Sequence, residues 1–495
     1  MQACSHACIA TCDDEAAPKR LLHLPYPSLL HPFHSHPFIT HTLPSLPPSL
    51  PTSLSQVRRH KTPQDAWLVY RNKVYDVSGW QDHPGGNVIF THAGGDCTDI
   101  FAAFHPLGAT SYLDPFYIGE LLPGSDKKPE AQASFERAYR DLRGKLITGG
   151  FFKANPLYYM WKVVSTVILA AGAWVLVAWS QNLGVQMLSA FLVALFWQQC
   201  GWLAHDFLHH QVFKNRAYGD LAGIMIGNIF QGFSVAWWKN KHNTHHAVPN
   251  LVESSPDAQD GDPDIDTMPI LAWSLKMADR AQQYSWGPFF VKHQSVLYFP
   301  ILLVARISWL MQSFLFVFDG VPGASLWATK GATAERQVIK NVGLEKVGLF
   351  IHYLWYGALM LCHMSLPRAI LYFLASQMMC GFLLALVFGL GHNGMAVYDA
   401  DARPDFWKLQ VTTTRNVTGS WLVQWFCGGL GYQVDHHLFP MIPRHRLGKL
   451  HGLVEGFCRE HGVEYHETNM WEGTKEVLAH LSSVTKEFVA DFPAM

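Results

Sequence analysis

Long apolar segments separated by short polar ones run through the middle and last parts of the chain. Leu157–Trp179 and Leu183–Ala204 are each long enough to cross a hydrocarbon core, which takes about 20 helical residues. Only three residues separate them, so we expect a tight helical hairpin. Val347–Leu366 and Ala369–Gly391 form a second such pair. The pattern predicts an all-α membrane domain at residues 154–490 with about four transmembrane helices.

The residues before this domain follow other patterns. Residues 1–54 are rich in proline, serine and leucine, and we interpret them as a disordered or targeting leader or as a mispredicted start of the coding region. Residues 55–123 have the mixed composition of a small soluble domain, with two short strands predicted around a polar turn at Arg71 and Asn72. A charged, largely helical linker is expected at residues 124–153.

Overall composition excludes one class of partner. The formal net charge is −1 and the sequence pI is about 7.1, so no basic surface for nucleic acid is expected. Apolar residues make up 49% of the chain and charged ones 15%, which agrees with a membrane domain joined to a smaller soluble one.

Histidines are concentrated just beyond the apolar segments. On a helix, side chains three and four positions apart share a face, so one helix can offer several neutral imidazoles to a metal. Imidazole nitrogens suit iron, copper, zinc and nickel. The clusters are His205-Asp-Phe-Leu-His209-His210, His242-Asn-Thr-His245-His246 and Gln433-Val-Asp-His436-His437. Chance pairs are common among 27 histidines, but three clusters at segment ends indicate a metal site.

One further apolar segment, Ser295–Phe318, carries Arg306 and Gln312. If the three clusters share a metal centre, they lie on one side of the membrane, and an even number of spans separates them. We therefore expect Ser295–Phe318 to lie in the interface plane as an amphipathic helix.

The predicted soluble domain contains a separate pair of candidate ligand histidines. His83-Pro-Gly-Gly86 is followed 22 residues later by His105. Two histidines on opposite walls of an apolar pocket can hold a haem iron axially, leaving no open position for oxygen, so such a site only transfers electrons. Together with Trp67 and Tyr75-Asp-Val77, the segment resembles cytochrome b5, which implies a small α+β domain with haem b on His83 and His105. The family motif does not use His92, which we expect at the surface.

The membrane part resembles the front-end fatty-acid desaturases, membrane di-iron enzymes with a fused cytochrome b5. The resemblance rests on the three cluster regions, with glutamine in place of the first histidine of the third, and on the runs Asp262-Pro-Asp-Ile-Asp-Thr267 and His392-Asn-Gly-Met395. It covers roughly residues 55–490 and implies O2-dependent insertion of a cis double bond between an existing one and the carboxyl end.

Desaturation removes hydrogen from an unactivated methylene, so it needs O2, two electrons and two irons with many neutral ligands. The iron ligands that the resemblance implies are His205, His209, His210, His242, His245, His246, His392, Gln433, His436 and His437. On a regular helix either His209 or His210 points away, so both need not bind. Asp206 and Asp435 either orient neighbouring imidazoles or are ordinary carboxylates. Asp262, Asp264 and Asp266 are most simply a solvated acidic loop, although they could also contact the ligands from outside.

Within this family the runs near the first two clusters look most like the Δ6 enzymes of algae, mosses and oil-producing fungi. We expect a Δ6 desaturase of C18 polyunsaturated acids, with Δ5 or Δ8 regiospecificity or a sphingoid long-chain-base desaturase as alternatives. The resemblance implies two non-haem irons and haem b as cofactors, and NADH-cytochrome b5 reductase, O2, membrane lipid and a fatty acyl-CoA or phospholipid acyl chain as partners. It places the chain in the endoplasmic reticulum membrane, with clusters and haem domain cytosolic.

Two other functional classes fit the histidine clusters less well. A metal transporter would carry its histidines inside the spans, whereas here they lie just beyond them. A membrane-anchored haem carrier with an inactive second domain would not need three complete clusters, and the iron content of the purified protein separates it from a desaturase.

Overall fold

A computed structural model describes residues 51–254, 260–320 and 337–492. Nearly all of the expected leader, residues 1–54, lies outside these residues. The few leader residues that are described belong with the soluble domain, because the backbone N–H of Thr52 donates to the carbonyl of Glu120 at 3.0 Å.

The soluble domain is a small α+β unit, as predicted. The strands Lys61–Thr62 (β1), Asp65–Tyr70 (β2), Lys73–Asp76 (β3) and Tyr117–Glu120 (β5) pair in that order, and Gly95–Asp96 (β4) lies parallel to β2. Arg71 and Asn72 have φ of 48° and 63°, which is the left-handed pair of a type I′ hairpin, so the predicted turn is confirmed. The elements are α1 (Leu54–Val57), β1 (Lys61–Thr62), β2 (Asp65–Tyr70), β3 (Lys73–Asp76), β4 (Gly95–Asp96), α2 (Thr98–Phe104) and β5 (Tyr117–Glu120), with 3-10 helices at Gly86–His92 and Leu107–Phe116.

The linker is helical, as predicted, and it is packed on both neighbouring regions. Helix α3 spans Glu130–Thr148. Its Arg140 makes a bidentate ion pair with Asp99 on α2, at 2.7 and 2.9 Å. The buried Tyr139 hydroxyl donates to the carbonyl of Leu438, beside the third histidine cluster, at 3.0 Å. The linker therefore connects the soluble domain rigidly to the membrane domain.

Four helices in the described part of the chain are long and apolar enough to cross a membrane. They are α4 (Pro156–Trp179), α5 (Leu183–Leu208), α9 (Gly287–Asp319) and α11 (Leu366–His392). The tight α4–α5 hairpin is confirmed, and the Asn182 side chain caps α5 by accepting from the N–H of Gly184 at 2.8 Å. The main apolar core lies where α4, α5 and α11 pack together. Several apolar helices of this length indicate a membrane protein.

The number of candidate spanning helices agrees with the four predicted from the apolar pattern, but the helices selected by length and composition are not the same four. By length and composition α9 is included, whereas α10 (Val342–Leu361), which overlaps the predicted third span, is not. Arg306 does not mark a polar face in an interface plane, because it is fully buried and its guanidinium lies 4.0 Å from the ring centroid of Trp197. Stacking on an aromatic face lets an arginine lie within an apolar helix bundle.

Contacts at the helix ends describe where α9 and α10 run. The Tyr298 hydroxyl of α9 bonds to Asn393, next to His392, and Gly320, after its last turn, accepts from the N–H of Gln337. Gln337 in turn accepts from Asn240 in the second cluster region, so the turn of α9 that carries Tyr298 and the C-terminal end of the helix both lie on the histidine side. Helix α10 instead leads to the far end of the bundle, where the carbonyl of His363 accepts from Gln181 in the α4–α5 turn. These contacts favour α10 over α9 as the third span.

The second histidine cluster lies on a sharply bent pair of helices. Helix α6 (Arg216–Gly223) continues as a π-helix to Gln231, and α7 (Val235–Ala247) follows at 108°. Ser234 caps α7 by accepting from the N–H of Trp237 at 3.1 Å. The remaining elements are β6 (Leu251–Val252), α8 (Leu275–Arg280), β7 (Tyr398–Asp399), α12 (Phe406–Thr412), β8 (Asn416–Thr418), α13 (Trp421–Phe426), α14 (Gln433–Leu438), α15 (Arg444–Glu460), β9 (Glu467–Asn469) and α16 (Met470–Asp491), with β6 paired to β7 and β8 to β9.

Candidate metal centre and haem site

The three histidine clusters converge into two buried groups. The first, which we call group one, contains His205, His209, His242, His246 and His436, whose ligand atoms all lie within 4.8 Å of one another. Within it the Nε2 atom of His242 lies 2.9 Å from that of His209 and 3.0 Å from that of His246. Two nitrogens at about 2.1 Å from one metal, bound at right angles, would be about 3 Å apart. These spacings suit a shared metal ion.

The second group, group two, contains His245, His392 and His437, again within 4.8 Å. The Nε2 atoms of His245 and His392 are 3.2 Å apart, and the Gln433 amide nitrogen is 2.7 Å from Nε2 of His392. The other Gln433 amide atom, Oε1, is buried and has no hydrogen-bond partner among the described residues. Group two therefore offers three imidazoles and one amide.

Helical periodicity explains why histidines of one sequence cluster belong to two different groups. His242 and His246 are four apart on α7, so they share a face and enter group one, while His245 points to group two. Neighbouring His436 and His437 on α14 also separate between the groups. The rings of His246 and His437 stack with centroids 4.0 Å apart, so the two groups are adjacent. Such a pair of nitrogen-rich sites suits two metal ions.

His210 is the one predicted ligand that the structure places outside both groups. Helix α5 ends at Leu208, and the chain turns into the left-handed region at His210, with φ of 56°. Its ring then lies against Gly219, where an added Cβ would be 3.1 Å from Nδ1. Of the adjacent pair, His209 is therefore the one directed at the metal groups.

The state of the ring nitrogens fits a metal. Nδ1 of His245 donates to the Asp262 carboxylate at 2.9 Å, and Nδ1 of His392 donates to the carbonyl of Thr413 at 3.2 Å. Nδ1 of His437 donates to Oε1 of Gln410 at 2.8 Å, while its Nε2 is buried and, within the part of the chain that the structure describes, makes no hydrogen bond. Fixing Nδ1 as the protonated nitrogen leaves the Nε2 lone pair free for a metal ion.

Burial keeps most of these imidazoles neutral, as ligation requires. It lowers the pKa of His209 to about 3 and depresses the pKa of His242, His246, His436 and His437 well below the ordinary value. His245 differs: burial lowers its pKa, but the Asp262 carboxylate hydrogen-bonded to its ring raises it above the ordinary value. An anionic partner of this kind makes an imidazole a stronger donor to a metal.

Two residues from outside the histidine clusters orient these imidazoles. Asp262 is buried rather than part of a solvated loop, because it holds His245. Gln410 gave no sequence signal, since its contact with His437 joins separate helices. Of the carboxylates next to ligands, Asp206 pairs with Arg444 at 2.8 Å and also lies 3.5 Å from Nδ1 of His205. Asp435 accepts from the Tyr465 hydroxyl at 2.8 Å.

Replacing Gln410 with leucine keeps most of its volume but removes the acceptor for Nδ1 of His437. Loss of such an orienting contact typically lowers metal affinity or activity by about 10–100-fold, and we expect that range for Gln410→Leu. Iron per protein and product formation are the measurements. Gln424→Leu is the matched control, because the Gln424 amide donates to the carbonyl of Val417 rather than orienting an imidazole of the two groups. Equal iron and activity in the two variants would contradict this role.

The soluble domain brings its two candidate haem ligands face to face. The rings of His83 and His105 have centroids 6.1 Å apart. Nδ1 of His83 donates to the carbonyl of Gly86 at 3.2 Å, and Nδ1 of His105 donates to that of Phe101 at 3.0 Å. Both Nε2 atoms are thus free for a haem iron between them. Burial lowers the pKa of each histidine to about 4, so both are neutral at pH 7.

Local packing supports the same site. A Cβ on Gly85 would come within 2.8 Å of the His83 ring, so this position has no room for a side chain. The ring of Phe101 stacks on His105 with centroids 4.2 Å apart. His92 is buried beside Thr91, at 3.0 Å from its hydroxyl, so the expectation of a surface residue was wrong. It closes its 3-10 helix against the domain core instead.

A cavity of about 640 Å³ leads to the histidine groups. Its volume lies in the range typical of small-molecule sites. At its inner end it is lined by His205, His242, His245, His392 and Gln433, which come from both groups. Apolar side chains form much of the wall, among them Trp202, Leu302, Trp309, Leu384 and Phe388. The cavity can bring an apolar chain to the metal groups.

Comparisons with known proteins agree with both sites. The model of the family described as "Fatty acid desaturase" matches residues 182–469, more than half of the chain, and "Cytochrome b5-like Heme/Steroid binding domain" matches residues 53–122. An "Acyl-lipid (9-3)-desaturase" of Physcomitrium patens is 37% identical over 436 residues, 88% of this chain and 78% of that protein. A "Delta(6)-fatty-acid desaturase" of Caenorhabditis elegans is 33% identical, with 82% and 93% covered. A "Delta(8)-fatty-acid desaturase" of Helianthus annuus is 31% identical, with 86% and 89% covered.

These matches span the cytochrome b5-like domain, the histidine groups and the apolar helices, and the donor set of each site suits haem and two irons. The chain belongs to the fatty acid desaturase family and, like its front-end members, carries a cytochrome b5-like haem domain ahead of the desaturase region.

Proposed function

We propose that the chain is a front-end desaturase that inserts a cis double bond at Δ6 of C18 polyunsaturated acyl chains. The observation that carries the proposal is the cavity, because it joins apolar walls to both buried histidine groups. A Δ6 enzyme stands among the close relatives, although a Δ8 enzyme is nearly as similar. The alternatives are Δ5 or Δ8 regiospecificity and desaturation of sphingoid bases.

For the irons we propose one position within group one and one within group two. Group one would supply five imidazoles, and group two would supply three, with Gln433 binding through its side-chain oxygen or through a water. When bound, the irons would use O2 and two electrons to remove two hydrogens from adjacent methylenes. The role of this chain's residues is to hold the metals, to place the acyl chain at the inner end of the cavity and to exclude bulk water.

His83 and His105 would hold haem b, and the haem domain would deliver the two electrons. NADH-cytochrome b5 reductase is the proposed source, and O2 and a fatty acyl-CoA or phospholipid acyl chain are the substrates. We place the protein in the endoplasmic reticulum membrane with the haem domain and histidine groups on the cytosolic side. Their mutual contacts support a common side, since the linker and α7 both contact the haem domain.

Feeding fatty acids to yeast that makes no polyunsaturated fatty acids tests the regiospecificity. Cells expressing the chain receive linoleate, α-linolenate or C20 acids separately, and the double bonds of the products are located by mass spectrometry. New Δ6 bonds in C18 acids are expected. A strain expressing His437→Ala is the matched control, because it should lose group two and form no product. Products from C20 acids alone would move the assignment to Δ5 or Δ8, and changes confined to sphingoid bases would favour the long-chain-base alternative.

A further inference from the structure

Phe104 connects the haem site to the metal site. It is the last residue of α2 and directly precedes the candidate haem ligand His105. Its ring meets the ring of His246 edge-on at a centroid distance of 5.8 Å and lies 6.4 Å from that of His209. Both of these histidines belong to group one. One aromatic side chain of the haem domain therefore touches histidines of group one, and its neighbour in sequence, His105, lies opposite the other candidate haem ligand, His83.

The backbone at Phe104 is fixed from both sides. The Arg216 guanidinium, at the start of α6, donates to the carbonyl of Phe104 at 2.7 Å. On the other side, the His105 ring is held by its hydrogen bond to the carbonyl of Phe101 and by stacking on the Phe101 ring. Phe104 thus has little freedom to leave the histidines.

The haem domain as a whole is docked rather than loosely tethered. Asn243 on α7, between the histidines of the second cluster, donates to the carbonyl of Gly85 at 3.4 Å. Arg403 donates to the carbonyl of Thr91 at 2.7 Å. Val248 and Leu251, which follow the second cluster, pack into the same buried apolar cluster as core residues of the haem domain. A shared apolar core of this kind holds two domains in one arrangement.

We propose that Phe104 is the contact through which electrons pass from the haem site to the metal site. Electron tunnelling weakens steeply with the width of an unfilled gap, and the Phe104 ring fills the space between the two sites. Each passage oxidises ferrous haem by one electron and reduces the metal site by one. Two passages, with O2 and two protons, balance the removal of two hydrogens and the formation of two waters, and NADH re-reduces the haem through its flavoprotein reductase. The inference rests on the proposed donor role of the haem domain.

The test follows electron transfer directly and needs no acyl substrate. In the anaerobic diferric holoenzyme, a laser flash with a flavin photoreductant reduces the haem, and its reoxidation is followed by absorbance. We expect Phe104→Leu to slow reoxidation roughly tenfold or more, a loss of the kind that follows when reacting groups are no longer held in place. Phe104→Trp, which keeps an aromatic ring, should retain most of the rate. Phe116→Leu is the matched control, because the Phe116 ring stacks on Trp80 inside the haem domain.

Companion measurements separate electron transfer from docking. The haem spectrum, its midpoint potential and the iron content should be unchanged in Phe104→Leu, and hydrogen exchange should show α2 and α7 still protected. If Phe104→Leu loses this protection, Phe104→Met is measured in its place. Wild-type rates in the leucine or methionine variant, or slow rates only in variants that have lost protection, overturn the proposal. Absence of reoxidation in the wild-type protein itself would instead refute the donor role.

Discussion

Replacing His246 with alanine is expected to abolish product formation and to lower the iron content of the purified protein. Nε2 of His246 lies 3.0 Å from that of His242 and 3.1 Å from that of His436, so it stands at the centre of group one. Its ring also stacks on His437 of group two. Loss of a residue that only orients a metal ligand typically lowers metal affinity or activity by about 10–100-fold. His246 is itself a candidate ligand, so its removal should cost more.

Iron per protein and product per cell are the two measurements for His246→Ala. Haem content gives an internal check on folding, because the haem ligands lie in a different domain and should stay fully occupied. His293→Ala is the matched control, since His293 is exposed on α9 and its Nδ1 donates to the carbonyl of Phe289 in the same helix. If His246→Ala kept two irons per protein, group one would not be a metal site.

The ligand clusters could be predicted from the sequence because their spacing is a local property. His242 and His246 share a helical face whatever surrounds them, and the apolar segments that precede the clusters show where they emerge. The choice between His209 and His210 was beyond such reasoning, because it depends on where α5 ends. The left-handed turn at His210, which removes it from the groups, is set by packing against α6.

Contacts between distant parts of the chain were not predictable. Asp262 and Gln410 hold imidazoles on other elements, and their spacing in the sequence carries no periodic signal. Arg306 left the role of Ser295–Phe318 ambiguous in the sequence, and in the structure it is buried against Trp197 and bonds to Gln377 of α11 at 2.9 Å. A charge within an apolar segment indicates either an interface or a paired buried site, and only the partner decides between them.

The docking of the haem domain is the largest feature that the sequence did not indicate. Fusion alone predicts a tethered donor with a high effective concentration near its acceptor. The structure adds the helical linker, with its Arg140–Asp99 ion pair, and the contact between Asn243 and Gly85. These contacts join residues that are far apart in the sequence, so no local pattern marks them. They favour electron transfer within one docked arrangement of the domains over transfer by repeated encounters between them.

Replacing His83 with alanine is expected to remove haem and to stop turnover while leaving the two irons in place. His83 and His105 face each other with Nδ1 of each tied to a backbone carbonyl, so nothing else in the described pocket offers a second axial nitrogen at that position. His105→Ala should behave in the same way. The intact domain should show the reduced spectrum of six-coordinate, bis-histidine haem b.

The measurement for His83→Ala is product formation in cells that lack free cytochrome b5, together with haem and iron per protein. His92→Gln is the matched control, because His92 is also buried in this domain but pairs with Thr91 rather than facing His105. A haem-free protein with full iron and no product would show that the fused domain is the only electron source available in such cells. Normal desaturation by both His83→Ala and His105→Ala there would mean that electrons reach the metal site by another route, because docking alone cannot carry them without the haem.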